Sequence, residues 1–271
     1  MSESKIYASE IHKRVIRKFP RRKIIVNRLD EIWTMDLASM ESLAGSNDGY
    51  KFILCIVDVF SKYAWCIPLK NKSATTVLDA VKEVVEKSGR MPEKIWVDQG
   101  SEFYNKSFKA WLKQHNIIMY SSFGDSKAVV VERFIRTLRD LLTKKMTEAK
   151  TTHWVKILPN VVKYYNHKFH RTIQMSPTEA SDPANTLQVF LLHQANKSKK
   201  VEKPKFHVGD RVRIARTKGR FEKGSTANWS HEVFTISEVK KTEPITYLLM
   251  DENGEVIQGA FYNQELQKTR L

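Results

Sequence analysis

The sequence predicts an α/β protein with a mixed five-stranded sheet, followed by a smaller all-β unit. Apolar strand-like runs alternate with amphipathic helical patterns over the first two thirds of the chain, and only short alternating runs follow towards the C-terminus. A length of 271 residues is too long for one ordinary compact core and too short for three full ones. We therefore expect a main domain and a smaller one.

Three strands in succession are predicted to open the main domain. β-branched and aromatic residues dominate the stretches 32–40, 51–59 and 64–69. Turn-forming residues separate these stretches, with a cluster at 45–49 and a short break at 61–62. This order is typical of a meander of neighbouring strands.

Helices and strands then alternate. The pattern predicts a helix over 74–87, a strand over 94–97, a second helix beginning at Ser101 and Glu102, and a strand over 117–120. A strand, helix, strand, helix, strand order implies parallel pairing through crossovers, so the sheet is expected to be mixed.

Changes in composition divide the chain into four parts. The first part, residues 1–30, carries nine Lys or Arg and few apolar residues, and one short helix is expected at 8–18. A solvated tail explains this composition nearly as well as contact with DNA does. Two amphipathic helices, at 127–149 and 152–167, complete the main domain. The predicted parts are a basic arm (1–30), the α/β domain (31–180), a linker or connecting helix (181–204) and a small all-β barrel (205–271).

Charge and cysteine content narrow the class of protein. Forty-six Lys and Arg against thirty Asp and Glu give a net charge of +16, which indicates a polyanionic partner, first of all nucleic acid. Two cysteines, Cys55 and Cys66, exclude a disulfide framework. No apolar run reaches the roughly 18 residues of a membrane span, and no secretory signal is visible, so we expect a soluble intracellular protein without a membrane partner.

Three acidic residues stand where metal chemistry could occur. Asp36 and Asp98 lie at predicted strand ends, and Glu132 lies in the first turns of the long helix. Carboxylates from neighbouring strand ends and a helix packed across them can converge on a pair of Mg²⁺ ions, which assist in-line phosphoryl displacement. Taken one at a time, each acid fits an ordinary turn or cap residue better, so position alone leaves both interpretations open.

Longer motifs surround these acids and extend along the chain. They are Trp33 with Asp36, FILCIVDVFSKYAWCIPL from Phe52, VDQGSEF from Val97, KAVVVERFIRTL from Lys127, YYNHKFHRTIQMSP from Tyr164 and FHVGDRVRI from Phe206. Together they resemble the integrase core of retroviruses, LTR retrotransposons and related DNA transposons. The run FPRRKIIVNRLDEIWTMDL and the final FYNQEL are most similar to integrases of the Maverick or Polinton DNA transposons.

The resemblance implies an RNase H-like core and a C-terminal SH3-like barrel. It also implies that Asp36, Asp98 and Glu132 form a catalytic triad binding Mg²⁺ or Mn²⁺, as two ions. Between the second and third acid lie 33 residues (132 − 98 − 1), slightly fewer than is usual in the family. Many retroviral integrases begin with a zinc module of two histidines and two cysteines. No cysteine precedes Cys55, so we expect no structural zinc.

The implied activity is metal-dependent 3′-end processing and strand transfer of transposon DNA into target DNA. Such a DDE-type integrase is expected to act on double-stranded DNA in the nucleus, as a dimer or tetramer. A domesticated or inactive copy that only binds DNA or chromatin is the alternative. A metal-dependent nuclease acting on RNA/DNA hybrids is a third hypothesis, which the C-terminal unit and the basic arm argue against.

Helical spacing and the resemblance together suggest DNA contacts. Arg136 and Arg139 follow Glu132 by four and seven residues and therefore share its face of the helix, where the family grips transposon-end DNA. Solvated basic residues are the alternative for this pair. The further candidates are Lys127, His170, Arg171, Lys218, Arg220 and Lys223.

Other residues near the motifs are assigned supporting roles. Asp58 is interpreted as a residue that supports the site rather than as a ligand. Glu102 is interpreted as a first-turn acid that interacts with the helix dipole. Gly100 is expected to allow close backbone approach or an ordinary turn. In the predicted barrel, which could alternatively be an adaptor for a protein, the aromatic residues Trp229, Phe234, Phe261 and Tyr262 are expected in the core.

Overall fold

The computed structural model describes residues 2–22, 24–121, 129–195, 203–219, 222–223 and 225–270. Contacts divide the chain into two compact units. The larger, which we call the core unit, is Ile25–Lys197, and the smaller, which we call the terminal unit, combines Met1–Ile24 with Ser198–Leu271. Within the described residues no helix is both long and apolar enough to cross a membrane.

Seven α-helices are described, one in the terminal unit and six in the core unit. They are α1 (Glu3–Ile11), α2 (Ala74–Ser88), α3 (Lys106–Gln114), α4 (Val129–Glu148), α5 (Trp154–His167), α6 (Pro177–Ala180) and α7 (Thr186–Ala195). The strands of the core unit are β1 (Ile32–Ser39), β2 (Phe52–Asp58), β3 (Ala64–Leu69), β4 (Lys94–Val97) and β5 (Ile118–Ser121).

The core unit contains the predicted mixed five-stranded sheet. Its strand order is β3-β2-β1-β4-β5, with antiparallel pairing among β1, β2 and β3 and parallel pairing of β4 with both β1 and β5. Every residue of the interior strand β2 is buried, as expected where helices cover both faces of a sheet. The meander and the crossovers predicted from the sequence are confirmed.

Two apolar layers hold the helices on the sheet. On one face, α2 and α3 pack on alternate strand residues such as Leu54 and Ile56. On the other face, α4 and α5 pack on the intervening residues, among them Ile53, Cys55 and Val57. Because side chains alternate along a strand, the same short run of sequence serves both layers. This arrangement fixes α4 over the centre of the sheet.

Helix α3 begins later than predicted. Asn105 is its N-cap, and the side chain of Asn105 accepts the Phe108 N–H at 2.9 Å. Before it, the N–H groups of Phe103 and Tyr104 donate to the Gly100 carbonyl and form a separate turn. The predicted helix start at Ser101 and Glu102 is therefore wrong, and Glu102 lies in the turn that links β4 to α3.

The terminal unit contains a second five-stranded sheet. Its strands are β6 (Arg211–Ile214), β7 (Phe234–Lys240), β8 (Thr246–Met250), β9 (Val256–Tyr262) and β10 (Leu266–Lys268), in the order β10-β6-β7-β8-β9 with antiparallel pairing throughout. The all-β character is as predicted, although the three-residue strand β10 was not. Trp229, Phe234 and Tyr262 are buried and Phe261 is partly buried, so the expected core role of these aromatics is confirmed.

Residues of the predicted basic arm belong to the terminal unit. The observed helix, α1, lies earlier than the predicted 8–18 and buries Glu10. The Glu10 carboxylate accepts hydrogen bonds from Arg213 Nε at 3.3 Å, Thr269 Oγ1 at 2.8 Å and the Arg270 N–H at 2.8 Å. A single buried acid thus ties the N-terminal helix to β6 and to the residues after β10.

Candidate active site

The parallel register of β1 and β4 brings Asp36 close to Asp98. Thr34 pairs with Trp96 across these strands, and each aspartate lies two residues farther along its own strand direction. Neighbouring strands lie about 4.8 Å apart, and residues in register point to the same face. Both carboxylates therefore lie on the same face of the sheet, close to one another. Asp36 is half-buried and Asp98 is exposed.

Each aspartate is oriented by a local backbone N–H. Asp36 Oδ1 accepts the Leu37 N–H at 2.7 Å, and Asp98 Oδ1 accepts the Gly100 N–H at 3.2 Å. These bonds leave oxygen lone pairs on both carboxylates available for further partners. Asp98 directly follows the end of β4, as predicted, whereas Asp36 lies within β1 because that strand continues to Ser39.

Helix α4 carries the third predicted acid. Its buried stripe, which includes Val131, Phe134 and Leu138, packs over the sheet. Because this stripe fixes the rotation of the helix, Glu132 is left exposed in its first turn. The charge of Glu132 reaches Asp36, as the pKa of that aspartate shows.

Burial and neighbouring acids raise the pKa of Asp36 to about 6. Burial is the largest cause, and the negative charges of Asp98, Glu132 and Glu102 add to it, whereas the hydrogen bond from Leu37 opposes it. The charges of three neighbouring carboxylates therefore act on Asp36. A bound cation would relieve that repulsion.

The donor chemistry of this site fits Mg²⁺ or Mn²⁺, because carboxylate oxygens are the ligands that hard divalent cations prefer. In the part of the chain that the structure describes, no three His, Cys, Asp or Glu side chains are grouped closely enough to hold a metal ion. The structure thus brings Asp36 and Asp98 together and places Glu132 within electrostatic range. Direct ligation by all three remains a prediction.

Glu102 was expected near the site, but in the first turn of a helix, and the structure places it in the turn before α3. A Cβ atom added to Gly100 would lie 2.6 Å from Glu102 Cδ, so the Glu102 carboxyl group folds over this glycine. The backbone of Gly100 has no positive φ, so its role is to leave space rather than to adopt a left-handed turn. The signal available in the sequence was the four-residue separation from Asp98, which a compact turn can close.

Asp58 lies elsewhere on the sheet and organises the turn after β2. Cys55, not Asp58, pairs with Asp36, and Asp58 pairs with Trp33 near the start of β1. The fully buried Asp58 carboxylate accepts the Ser61 N–H at 2.8 Å and lies 3.4 Å from Arg90 Nη2. Burial raises the pKa of Asp58, although the hydrogen bonds from Ser61 and the charge of Arg90 oppose that rise. Its contacts are those of a supporting residue.

Two of the three residues predicted to contact DNA at or just before α4 lie in the described part of the chain. Arg136 and Arg139 are exposed on the face that carries Glu132. Arg139 Nη2 also donates to the Ser39 carbonyl at 3.5 Å, so this guanidinium reaches the end of β1. Lys127 lies outside the described residues.

The other candidate contacts are spread over both units. His170 is half-buried, its Nδ1 accepts the Thr172 N–H at 3.3 Å, and burial, with a smaller effect from Lys62, lowers its pKa. Arg171 is exposed. In the terminal unit, Lys218 Nζ donates to the Thr226 carbonyl at 2.8 Å and Lys223 is exposed, while Arg220 lies outside the described residues.

Asp36→Asn is expected to stabilise the metal-free protein at neutral pH. A pKa raised to about 6 in the fold means that ionised Asp36 destabilises it, so its favourable contribution is complete below about pH 4 and is lost as pH rises through 6. Allowing for solvent screening, we expect a gain of roughly 1 kcal/mol at pH 7.5, or about 2–4 °C in Tm. Calorimetry in EDTA checks this, and a gain that persists at pH 4 would contradict it.

Comparison with known proteins agrees with this geometry. Residues 26–122 match the family described as integrase core domain. The transposon-derived protein F54H12.3 of Caenorhabditis elegans is 34% identical over 190 residues, which cover 69% of this chain and 63% of that protein. The Pol polyprotein of Radiation murine leukemia virus (strain Kaplan) is 29% identical over 113 residues, covering 41% of this chain and 19% of the polyprotein. The chain therefore spans less than two thirds of the length of either relative.

A solved structure shares the fold over most of the chain. The integrase chain of the simian T-cell lymphotropic virus intasome, determined in complex with PP2A regulatory subunit B56 gamma, has a TM-score of 0.67 and 14% sequence identity. The match covers 94% of this chain and 84% of that one. Identity this low shows likeness of fold alone. The sequence matches carry the comparison further, because residues 26–122 match the integrase core domain and the chain is similar to a retroviral Pol polyprotein.

Proposed function

We propose that the protein is a transposon integrase, a polynucleotidyl transferase that processes the 3′ ends of transposon DNA and joins them to target DNA. The observation that carries the proposal is that the parallel register of β1 and β4 brings Asp36 close to Asp98, and that the charges of Asp98 and Glu132 act on Asp36. Acids that repel one another in this way are suited to a divalent cation and, through it, to phosphate. The integrase core family supports the reaction class.

The chain's own residues would hold and orient the reacting groups. Asp36, Asp98 and Glu132 would supply oxygen ligands for two Mg²⁺ or Mn²⁺ ions. When bound, these ions would activate water and offset charge on the scissile phosphate. Arg136 would bind the phosphate backbone of the transposon end and keep it in register. One site would serve both steps, since water attacks in the first and the freed 3′ hydroxyl in the second, and no covalent enzyme intermediate is needed.

The proposed partners are double-stranded DNA and further copies of the chain. A net charge of +16 favours a polyanion, and the fold neighbour was determined as part of an intasome. We propose that the terminal sheet is an SH3-like barrel that binds DNA through Lys218 and Lys223, and that a dimer or tetramer acts in the nucleus. The worm relative is transposon-derived, which supports a transposon origin, and the sequence motifs favour the Maverick or Polinton kind.

A strand-transfer assay on paired oligonucleotides, with Mg²⁺ or Mn²⁺, tests the proposal. We expect 3′ trimming of the end substrate followed by joining to a second duplex, and no product in EDTA. Binding without trimming or joining would indicate a protein that has lost catalysis and only binds DNA. Cleavage confined to the RNA strand of a hybrid would indicate a nuclease of the same fold.

Arg136→Ala is expected to weaken binding to transposon-end DNA and to reduce the magnitude of the salt slope of log K by about one. Arg136 is exposed on the face of α4 that carries Glu132, so its loss should remove a phosphate contact without disturbing the core. Fluorescence anisotropy between 50 and 200 mM salt measures both effects. Lys82→Ala on α2 removes the same charge elsewhere and serves as the control, and an equal change in both variants would contradict the assignment.

A further inference from the structure

A groove of about 730 Å³ runs between α4 and α5 in the core unit. Apolar side chains form its floor: Leu141 and Ile157 are half-buried, and Val161 is buried. The rim is basic and includes an aromatic ring, contributed by Lys144, Lys145, Lys156, Lys168 and Tyr164. An apolar floor inside a ring of lysines is not explained by the packing of the core.

This groove lies on a different face of α4 from the candidate active site. Leu141 follows Glu132 by nine residues, which is about two and a half helical turns, so the two side chains project from opposite sides of the helix. Glu148, also in the groove lining, follows Glu132 by sixteen residues and projects from the same side as Leu141. The groove is therefore separate from the carboxylates and from Arg136.

The charges at the rim are largely uncompensated. The one acid in the lining, Glu148, accepts a hydrogen bond from Lys145 at 2.7 Å. Neither Lys144 nor Lys156 forms an ion pair with any residue in the described ranges, and both are exposed. The Lys168 ammonium lies 5.5 Å from the ring centre of Tyr164. The groove thus presents an excess of positive charge around an apolar strip.

The exposed aromatic ring adds to the apolar strip. Tyr164 is 51% exposed, and it stands one turn of α5 after the buried floor residue Val161 and two turns after the half-buried Ile157. Residues at this spacing line one side of a helix, so the strip follows the length of α5. A long apolar strip between two packed helices matches the shape of a third helix laid into their groove.

We propose that the α4–α5 groove is a docking site for an acidic amphipathic helix of a partner protein. The apolar face of such a helix would cover Leu141, Ile157 and Val161, and acidic residues at its edges would pair with Lys144 and Lys156. A DNA backbone would satisfy the lysines but has no apolar surface to place on the floor. The observations therefore favour a protein partner at this surface, beyond the proposed integrase activity.

A synthetic helical peptide provides the test. The probe has glutamates on one face and leucines with one tryptophan on the other, and a scrambled peptide of equal composition has no apolar face. We expect the full-length protein to bind the helical peptide at least about 10 times more tightly than the scrambled one in 0.1 M salt. Lys144→Glu with Lys156→Glu should weaken binding about tenfold, and Tyr164→Ala about fivefold.

Lys109→Glu with Lys113→Glu, at two exposed positions of α3 on the other face of the sheet, makes the same change of charge and should leave peptide binding unaltered. Equal binding of both peptides, or an equal loss in this α3 variant, would overturn the proposal. A 20-base-pair duplex that binds with the same dependence on Lys144, Lys156 and Tyr164 would assign the groove to DNA instead. Self-association abolished by the lysine reversals would assign it to a second copy.

Strand transfer is measured on the same variants to separate this proposal from the proposed function. The residues changed in the groove variants lie away from the carboxylates, so these variants should retain strand transfer while their binding of the helical peptide is weakened. Absence of strand transfer in every protein, including the unmodified chain, would reject the proposed function and leave the docking result to be judged by the peptide data alone.

Discussion

Replacing Glu132 with glutamine is expected to lower both 3′-end processing and strand transfer by about 1,000-fold, while binding of transposon-end DNA survives. The change keeps the shape of the side chain and removes the charge that a divalent cation would need. Loss of one ligand from a metal site that serves the chemical step costs several kcal/mol of transition-state stabilisation, and each 1.36 kcal/mol is tenfold in rate. Gel assays for the two reactions and anisotropy for binding give the three measurements.

The two reactions must fall together if one site performs both. Glu86→Gln makes the same chemical change on the exposed face of α2, on the opposite side of the sheet from α4, and should leave both rates unaltered. Loss of processing with normal strand transfer, or the reverse, would contradict a shared site. Because Glu132 is exposed, the variant should fold as the unmodified chain does, so lost activity cannot be attributed to unfolding.

The core unit could be predicted because its signals are local. One run of strand length contains Asp36 and another ends at Val97, just before Asp98, and the alternation of strands with helices required the crossovers that pair β1 with β4 in parallel. Parallel neighbours run in the same direction, so an acid within β1 and an acid just after β4 come close together without any further information. The stripe of α4 likewise follows from the spacing of its apolar residues.

Misplaced elements arose where two local signals competed. Ser101 and Asn105 can both cap a helix, and the helix begins after Asn105, leaving residues 101–104 in a turn. That choice moved Glu102 from a helix start to a position over Gly100, where it acts on Asp36. A shift of one turn in a helix boundary therefore changed the set of acids at the site.

The contacts of the terminal unit could not be predicted, because they join residues at opposite ends of the sequence. Glu10 and Arg213 are 203 positions apart, and neither lies in a motif that points to the other. Net charge described the first thirty residues as a basic arm, since nine cations outnumber the three acids Glu3, Glu10 and Asp30. The buried Glu10 carboxylate nevertheless holds α1 in the terminal unit, together with the N–H groups of Asn228 and Trp229, which donate to the Ile11 carbonyl.

Glu10→Ala is expected to unfold the terminal unit while the core unit stays folded. The side chains of Arg213 and Glu10 are 3% and 8% exposed, and the substitution would leave a buried guanidinium without its carboxylate. Removing one partner of a buried pair costs about 3–5 kcal/mol, which is a large share of the stability of a small domain. Limited proteolysis followed by mass spectrometry should show new cleavage in residues 1–24 and 198–271 and continued protection of 25–197.

The pH dependence of the stability that Glu10 contributes provides a second, independent measurement of the same effect. Burial acts to raise the pKa of Glu10, but hydrogen bonds from Arg270, Thr269 and Arg213 outweigh it and hold the pKa below its usual 4.5. A lowered pKa means that the contribution is complete above 4.5 and is lost as pH falls through the folded-state value. The difference in stability between the unmodified chain and Glu10→Ala should therefore be constant from pH 6 to 8 and shrink in acid.

Two further variants separate the buried charge from the helix that carries it. Glu10→Gln can still accept hydrogen bonds from Thr269 and from the Arg270 N–H, so it should lose less stability than Glu10→Ala. Glu3→Ala removes an exposed acid from the first turn of the same helix and should cost no more than about 0.5 kcal/mol. If Glu3→Ala and Glu10→Ala were equally stable, α1 would be a surface helix whose docking contributes nothing. If Glu10→Ala alone exposes the terminal unit to protease, the N-terminal residues are a structural part of the same unit as β6–β10.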